Sequence, residues 1–106
     1  RADRQGNVLV EGIIGVQKEV VLAAGRSIVT VEEIVDDLAA GPNACVIPGW
    51  AIDAIVVAKH GAYPSYAHGY YPRDNAFYKA WDAIARDRET FDTWLQGHVF
   101  SQGDDA

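Results

Sequence analysis

The amino-acid sequence has no methionine, a single cysteine and fewer basic than acidic residues. Because Cys45 has no second cysteine to pair with, an internal disulfide is excluded, and nothing points to an oxidising compartment. Nine Lys and Arg against 15 Asp and Glu give a formal net charge of -6, which argues against a nucleic-acid backbone as partner. The longest apolar runs, Val20–Ala24 and Ala54–Ala58, fall far short of a membrane span, so we expect a cytoplasmic protein.

The missing methionine also bears on the extent of the chain. A translated protein begins with Met, whereas this sequence begins at Arg1 in a polar turn segment, Arg1–Asn7. We therefore expect the 106 residues to be a piece of a larger domain. With 49% hydrophobic and 23% charged residues, the composition is that of a globular protein with one modest core. Sheet edges left open in such a piece would favour its self-association.

Short β-branched runs come mainly first in the chain and amphipathic helical runs come last. Strands are predicted at 8–10, 27–31, 45–47 and 52–57, and the last is almost wholly apolar, which predicts cover on both faces. Residues 32–35 either extend the second strand or form a helical turn. Helical spacing predicts helices over 16–24, after the N-cap Asp74, and from about Arg88. This order favours an α/β layer with a helical tail.

The segment from Gly61 to Asp74, here called the tyrosine loop, is the most unusual part of the sequence. It holds four Tyr, one His and one Arg between Gly and Pro residues. An irregular segment cannot satisfy its backbone in regular ladders, so we expect it at a surface or along a cleft. Tyr and Arg are also frequent interface anchors, so packing against a sheet end or a partner protein is the alternative.

Other chemically active residues give weaker patterns. The spacing of His60, His68 and His98 does not match a metal site, and no metal is expected. The neighbouring carboxylates at 32–33 and 36–37 are interpreted as solvated charges at the end of an element, and Cys45 as an inert core thiol. No dinucleotide, phosphate-loop, zinc-protease or nucleophile-elbow motif occurs.

Four segments carry a resemblance to a known family. They are ADRQGN at 2–7, SIVTVEEIV at 27–35, IPGWAID at 47–53, and the stretch 61–78 that contains SYAHGYYPRDNAFY. The first three resemble the AD-x-x-GN turn, the V-E-E-I-V strand and the PG-x-x-(I/V)-D strand of alpha subunits of family I CoA-transferases. The fourth resembles the glutaconate CoA-transferase branch. The resemblance covers nearly the whole chain.

The resemblance implies the C-terminal part of an alpha-subunit domain, comprising residues 1–106. Its implied fold is α/β, an open and mostly parallel sheet with flanking helices and a C-terminal helical pair. The implied enzyme is a heteromeric CoA-transferase that moves CoA from an acyl-CoA to a carboxylic acid, with CoA as substrate and no cofactor. Its catalytic glutamate lies on the beta subunit, so no catalytic residue is assigned here and the isolated chain is predicted to be inactive.

The tyrosine loop and the first turn supply the residues that the resemblance places at a cleft between subunits. The predicted substrate-binding residues are Asn7, Tyr66, His68, Tyr70, Tyr71 and Arg73. Arg73 is expected to pair with a substrate carboxylate or to form a salt bridge with Asp74 or a partner chain. The branch often carries His before the loop proline, whereas this chain has Tyr63-Pro64. Specificity is therefore expected to differ if that position touches substrate.

Two other functions compete with CoA transfer. The branch includes CoA-ester ring-opening hydrolases of steroid degradation, which need no acceptor acid. The segment is alternatively a non-catalytic assembly module, in which the tyrosine loop and the last helices hold the partner subunit.

Overall fold

The computed structural model describes residues 1–101. They belong to two compact units, one from Arg1 to Pro72 and one that begins at Arg73. In the described residues the first unit holds six strands, one α-helix (α1, Gln17–Ala23) and a short 3-10 helix, and the second holds two α-helices followed by a π-helical turn. The predicted α/β class with a C-terminal helical pair is confirmed. No helix within residues 1–101 is long and apolar enough to cross a membrane.

The strands of the first unit form two sheets. The strand bounds are β1 Ala2–Asp3, β2 Val8–Val10, β3 Ile28–Val31, β4 Ile34–Val35, β5 Cys45–Ile47 and β6 Ala54–Val57. A four-stranded sheet has the order β4-β1-β2-β5, in which β1 is parallel to β4 and β2 is antiparallel to β1 and β5. The second sheet is a parallel pair of β3 and β6. The predicted open sheet is therefore divided into two sheets. The larger, four-stranded sheet contains both parallel and antiparallel pairs, rather than mostly parallel ones.

The turn between β1 and β2 is held by its own side chains. The Asp3 carboxylate accepts hydrogen bonds from the backbone N–H of Gln5 and Asn7 and from the Asn7 amide, at 2.9–3.0 Å. Gly6 has φ +87°, a value that glycine adopts without steric cost. The turn brings Ala2 opposite Val8, and both side chains lie in the core.

Residues 32–35 contain the point at which the chain changes sheets. β3 ends at Val31, and Ile34–Val35 then pairs with β1 in the other sheet. Residues 34–35 are therefore extended rather than helical, but they form a separate strand instead of extending the second predicted strand. The prediction that 52–57 is covered on both faces is wrong for the described chain, because Val56 and Val57 are half exposed. The β3–β6 pair has two strands, and neither has a neighbour on its other edge within residues 1–101.

The core of the first unit is small. Its buried cluster consists of Ala2, Val8, Val31 and Ile47, and Val21 of α1 packs against it. The predicted helix over 16–24 is confirmed as α1, Gln17–Ala23. Cys45 is only partly buried on β5, so its predicted place in the core is wrong.

The second unit is organised around aromatic rings. Helix α2, Asn75–Arg86, is N-capped by Asp74, which accepts from Phe77 N at 2.9 Å, and α3 spans Arg88–Leu95. The Trp81 ring lies 5.5 Å from Phe77, 6.0 Å from Phe91 and 4.8 Å from Trp94, between ring centroids. Both predicted helices and their inward aromatic faces are therefore confirmed.

Candidate functional site

A cleft of about 450 Å³ opens in the first unit, between the two sheets and the tyrosine loop. Apolar residues of β2 and β3 form one side, and residues of the tyrosine loop form another. A guanidinium, two carboxylates and several hydroxyl groups also face this space. The lining residues that carry polar groups are Arg1, Glu11, Gln17, Thr30, Glu32, Ser65, Tyr66, His68 and Tyr70.

Tyr66 joins the tyrosine loop to the segment after β2. Its phenol oxygen accepts a hydrogen bond from the backbone N–H of Ile13 at 2.9 Å. The preceding residue, Gly12, has φ +83°, and a Cβ there would lie 3.1 Å from the Tyr66 Oη and 3.4 Å from the His68 Cβ. Glycine at position 12 therefore allows both the backbone conformation and the close approach of the loop.

Tyr70 joins the loop to the chain segment between β3 and β4. Its hydroxyl donates a hydrogen bond of 2.6 Å to Oε1 of Glu33. Desolvation first, and then the hydrogen bond and negative charge of Glu33, raise the pKa of Tyr70 to about 12. Glu33 is exposed, as the solvated-charge interpretation predicts, and it also fixes an aromatic side chain on the rim of the cleft.

Tyr71 and His60 form a second contact with the same acidic pair. Their rings stack at a centroid distance of 4.5 Å, and the His60 backbone N–H donates to Glu32 Oε2 at 3.0 Å. His60 has φ +60°, which is uncommon for a residue with a side chain. The Tyr71 phenol oxygen accepts from Ala62 N at 3.0 Å. Desolvation, followed by a hydrogen bond with Glu32, raises the pKa of Tyr71.

Ionisation of Tyr70 provides a test of this arrangement. Its pKa rises from 10.0 to about 12 in the folded protein, so its contribution to stability is complete below pH 10 and is lost as the pH rises through about 12. We expect Glu33→Gln to lower the pKa of Tyr70, measured by the ultraviolet absorbance of tyrosinate, with Tyr70→Phe to assign the transition. Glu19→Gln on α1 is the matched control and should leave it in place. An unchanged Tyr70 titration in Glu33→Gln would contradict the hydrogen bond.

Three of the six residues predicted to bind substrate lie together. Tyr66, His68 and Tyr70 line the cleft, whereas Tyr71 and Asn7 are not among its lining residues. Asn7 Oδ1 accepts from Gly49 N at 2.9 Å, and its amide donates to Asp3, so Asn7 fixes the first turn to the Pro48-Gly49 segment. The hydrogen bond from the Asn7 amide is the main cause of the lowered pKa of Asp3.

The sixth residue, Arg73, belongs to the second unit. Its guanidinium carbon lies 4.0 Å from the centroid of the Tyr78 ring, which is a cation–π contact. In the same unit, the ring of His98 stacks on Trp94 at 5.0 Å, and its Nδ1 lies 3.1 Å from the Trp94 carbonyl oxygen. No group of three or more His, Cys, Asp or Glu side chains within residues 1–101 is arranged to hold a metal ion.

Several residues of the cleft were not predicted from the sequence. Arg1 and Glu11 form an ion pair across the β1–β2 hairpin, with side chains about one third exposed (33% and 29%). Their separation in sequence gave no periodic signal, because the pairing depends on how the two strands align. The Glu32-Glu33 pair was visible, but its contacts with residues 28 and 37 positions away were not.

Comparison with known proteins relates this arrangement to one class of enzyme component. No protein-family model matches the chain. The A subunit of 3-oxoadipate CoA-transferase from Pseudomonas knackmussii is 64% identical over 99 residues, which cover 93% of this chain and 35% of that protein. The A subunit of glutaconate CoA-transferase from Acidaminococcus fermentans is 36% identical over 106 residues, covering 98% of this chain and 33% of that protein.

Solved structures give the same relationship. The crystal structure of the Acidaminococcus fermentans glutaconate CoA-transferase superposes with a TM-score of 0.82 at 36% identity, covering 94% of this chain and 32% of that chain. The decarboxylase AibA/AibB superposes with a TM-score of 0.68 at 34% identity, covering 90% of this chain and 36% of that chain.

In fold and in sequence the chain is similar to a segment of CoA-transferase A subunits. The similarity is to the glutaconate type, as the motifs predicted. The chain spans about a third of the length of these relatives.

Proposed function

We propose that this chain is the C-terminal part of the A, or alpha, subunit of a heteromeric CoA-transferase. The whole enzyme moves CoA between an acyl-CoA and a carboxylic acid, with CoA as a substrate rather than a bound cofactor. The observation that carries the proposal is the 64% identity over 99 residues with the 3-oxoadipate CoA-transferase relative. We place the enzyme in the cytoplasm, in line with its single cysteine.

The reactive carboxylate in this proposal belongs to the beta subunit. It attacks the thioester carbonyl and displaces the CoA thiolate, which gives an acyl-glutamyl anhydride. The thiolate then attacks the glutamyl carbonyl and releases the first acid, leaving a glutamyl-CoA thioester. The acceptor carboxylate attacks the glutamyl carbonyl and displaces the CoA thiolate, which gives a second anhydride. The thiolate then attacks the acceptor acyl carbonyl, which forms the new acyl-CoA and releases the glutamate. Each step is an acyl exchange between carboxylate and thiolate, so neither a metal nor a redox group is needed for its balance.

The carboxylates of this chain that lie at the cleft are already engaged. Glu33 accepts from the Tyr70 hydroxyl, Glu32 accepts from the His60 backbone, and Glu11 is paired with Arg1. A nucleophilic carboxylate needs a free oxygen directed at the thioester carbon, and an engaged one is a poorer nucleophile. We therefore assign these three glutamates to positioning the wall of the cleft.

Among the predicted binding residues, Tyr66, His68 and Tyr70 are proposed to touch the substrate, because they line the cleft. Tyr71 does not line the cleft and is proposed to stabilise the tyrosine loop by stacking on His60. Asn7 is proposed to stabilise the first turn and not to touch the substrate itself. Arg73 remains a proposed partner for a carboxylate of the substrate.

The nature of the acids is a separate proposal. The relative with 64% identity is named for 3-oxoadipate and the one with 36% identity for glutaconate, so we propose a short dicarboxylic acid, with 3-oxoadipate as the first choice. The AibA/AibB decarboxylase has a similar fold, which means that the fold alone does not select the reaction. No contact in the cleft favours ring-opening hydrolysis over transfer.

The division of labour between the two polypeptides is tested by reconstitution. We expect no CoA exchange between 3-oxoadipate and succinyl-CoA when either this chain or the beta subunit is present by itself. Mixing the full-length A subunit with the beta subunit should restore exchange, measured by the formation of the new thioester. The beta subunit with its active glutamate changed to Gln is the matched control, and it should assemble without restoring exchange. CoA exchange by these 106 residues alone would overturn the proposal.

A further inference from the structure

The parallel pair of β3 and β6 has a free edge along β6. Among the described strands β6 lies beside β3 alone, and residues 29–31 of β3 line the cleft whereas none of residues 54–57 does. The free edge of β6 therefore lies on the side away from the cleft. β6 reads Ala-Ile-Val-Val in an unbroken register, so it has no charge, proline or bulge of the kinds that prevent an exposed edge from pairing.

The register with β3 determines which backbone groups this edge presents. The N–H groups of Ala54 and Ala58 both donate toward β3, to carbonyl oxygens at 3.2 and 2.9 Å. Because the N–H and C=O groups of successive residues alternate between the two edges of a strand, Ile55 and Val57 direct theirs away from β3. No strand within residues 1–101 pairs with them, and such groups are suited to the addition of a further strand.

Opposite charges flank β6. Asp53 precedes the strand and Lys59 follows it, and both residues are exposed. Oδ2 of Asp53 accepts from Ser27 N at 2.7 Å, and Lys59 forms no ion pair in the part of the chain that the structure describes. A second copy of β6 running in the opposite direction would bring a basic end to each acidic end, whereas a parallel copy would bring like charges together. The edge is therefore complementary to itself in the antiparallel direction.

We propose that two copies of this chain pair along β6, antiparallel about a twofold axis, so that the two β3–β6 pairs form one continuous sheet. In this register Ile55 lies opposite Val57 of the second copy and exchanges backbone hydrogen bonds with it. Val56 lies opposite its own counterpart, and Asp53 approaches Lys59 of the second copy at each end. The pairing covers Val56 and Val57, which are 48% and 49% exposed in the single chain. The inference goes beyond the proposed CoA-transferase function and does not depend on it, because it concerns this chain alone.

Association is measured on the 106-residue chain by sedimentation equilibrium. A contact of one strand per copy is small, so we expect a reversible dimer with a dissociation constant between about 1 µM and about 1 mM. Amide hydrogen exchange should show Ile55 and Val57 protected in concentrated solution and exposed on dilution. A chain that stays monomeric at about 1 mM would overturn the inference. Protection of these amides only after the proposed beta subunit is added would overturn it as well, since the edge would then bind that subunit.

A proline on the edge tests the backbone pairing. Val57→Pro removes an N–H that points away from β3, so the hydrogen bonds between β6 and β3 are retained. We expect this variant to weaken the dimer by about tenfold or more. Val57→Thr is the matched control, because it keeps the N–H and the branched Cβ, and its dissociation constant should stay within about threefold of the wild-type value. Near-ultraviolet circular dichroism verifies that both variants are folded. A proline variant that dimerises as well as the wild-type chain would exclude β6 as the interface.

A double-mutant cycle tests the direction of pairing. Lys59→Glu would bring a carboxylate to Asp53 of the second copy and should weaken the dimer by about tenfold. In an Asp53→Asn background, which retains an oxygen for Ser27 N, the same substitution should weaken it by less than about threefold. Along one extended chain the two positions are about 20 Å apart, well beyond the Debye length of about 8 Å, so coupling between them must arise across the interface. An equal effect of Lys59→Glu in both backgrounds would contradict the antiparallel register.

Discussion

Gly49→Ala should lower the free energy of unfolding by about 3 kcal/mol, because the added methyl group has no space. A Cβ at this position would lie 2.7 Å from the Gln5 carbonyl oxygen and 2.9 Å from the Gly6 carbonyl carbon. Both are backbone atoms of the β1–β2 turn and cannot rotate away. Moving this turn would also disturb the hydrogen bond from Gly49 N to Asn7. The first unit would therefore lose the alignment of β1 and β2 on which its core depends.

Urea unfolding followed by circular dichroism measures this loss. Gly25→Ala is the matched control, because Gly25 does not have positive φ and a Cβ there would meet no atom within 4 Å. The control should lie within about 0.5 kcal/mol of the wild-type protein. Equal stability of the two variants would mean that Gly49 and the turn are not in the close contact described above.

Trp81→Ala should destabilise the second unit by about 3 kcal/mol, since removal of a large aromatic side chain from a packed cluster costs about this amount. Trp81 contacts the rings of Phe77, Phe91 and Trp94 and so connects α2 to α3. Edge-to-face contacts such as the one with Trp94, at an interplanar angle of 75°, add to the burial of apolar area. Loss of helical circular dichroism on heating would record the effect.

Trp50→Ala is the matched control for this substitution. Trp50 is 82% exposed in the turn Gly49–Ala51, and its removal should change the stability of the chain by less than about 0.5 kcal/mol. A large loss with Trp50→Ala and a small one with Trp81→Ala would contradict the aromatic core of the second unit. The exposed indole is also a suitable interface anchor, so the same variant tests assembly with the proposed beta subunit.

Local sequence signals predicted the elements of this protein well. The predicted N-cap Asp74 precedes α2, and the aromatic residues of α2 and α3 recur at helical spacing. Both features act within one or two turns of the chain, whereas the N-cap Asp87 of α3 was not predicted. The strand at Val8–Val10 follows directly from a turn that Asp3, Gly6 and Asn7 stabilise by themselves. The family motifs were equally readable, because each lies within one short segment.

Pairings between distant segments were not readable in the same way. The alternation of residues along a strand does not depend on which strand lies beside it. The sequence therefore did not show that β4 pairs with β1 while β3 pairs with β6. The same limit explains the half-exposed Val56 and Val57, which an apolar run alone had suggested to be covered. Burial depends on which element lies opposite, and that is a property of the whole assembly of strands.

The candidate site shows the same difference between features that depend on local sequence and features that depend on distant contacts. By itself the sequence determined the resemblance to CoA-transferase A subunits, the helices and the presence of a tyrosine-rich loop, since these depend on residue type and local spacing. Only the tertiary structure decided that Glu33 holds Tyr70, that Glu11 holds Arg1, and that the tyrosine loop borders a cleft beside β2 and β3. These contacts join residues 10 to 37 positions apart, and their formation depends on strand alignment and on the change of sheet at Glu32-Glu33.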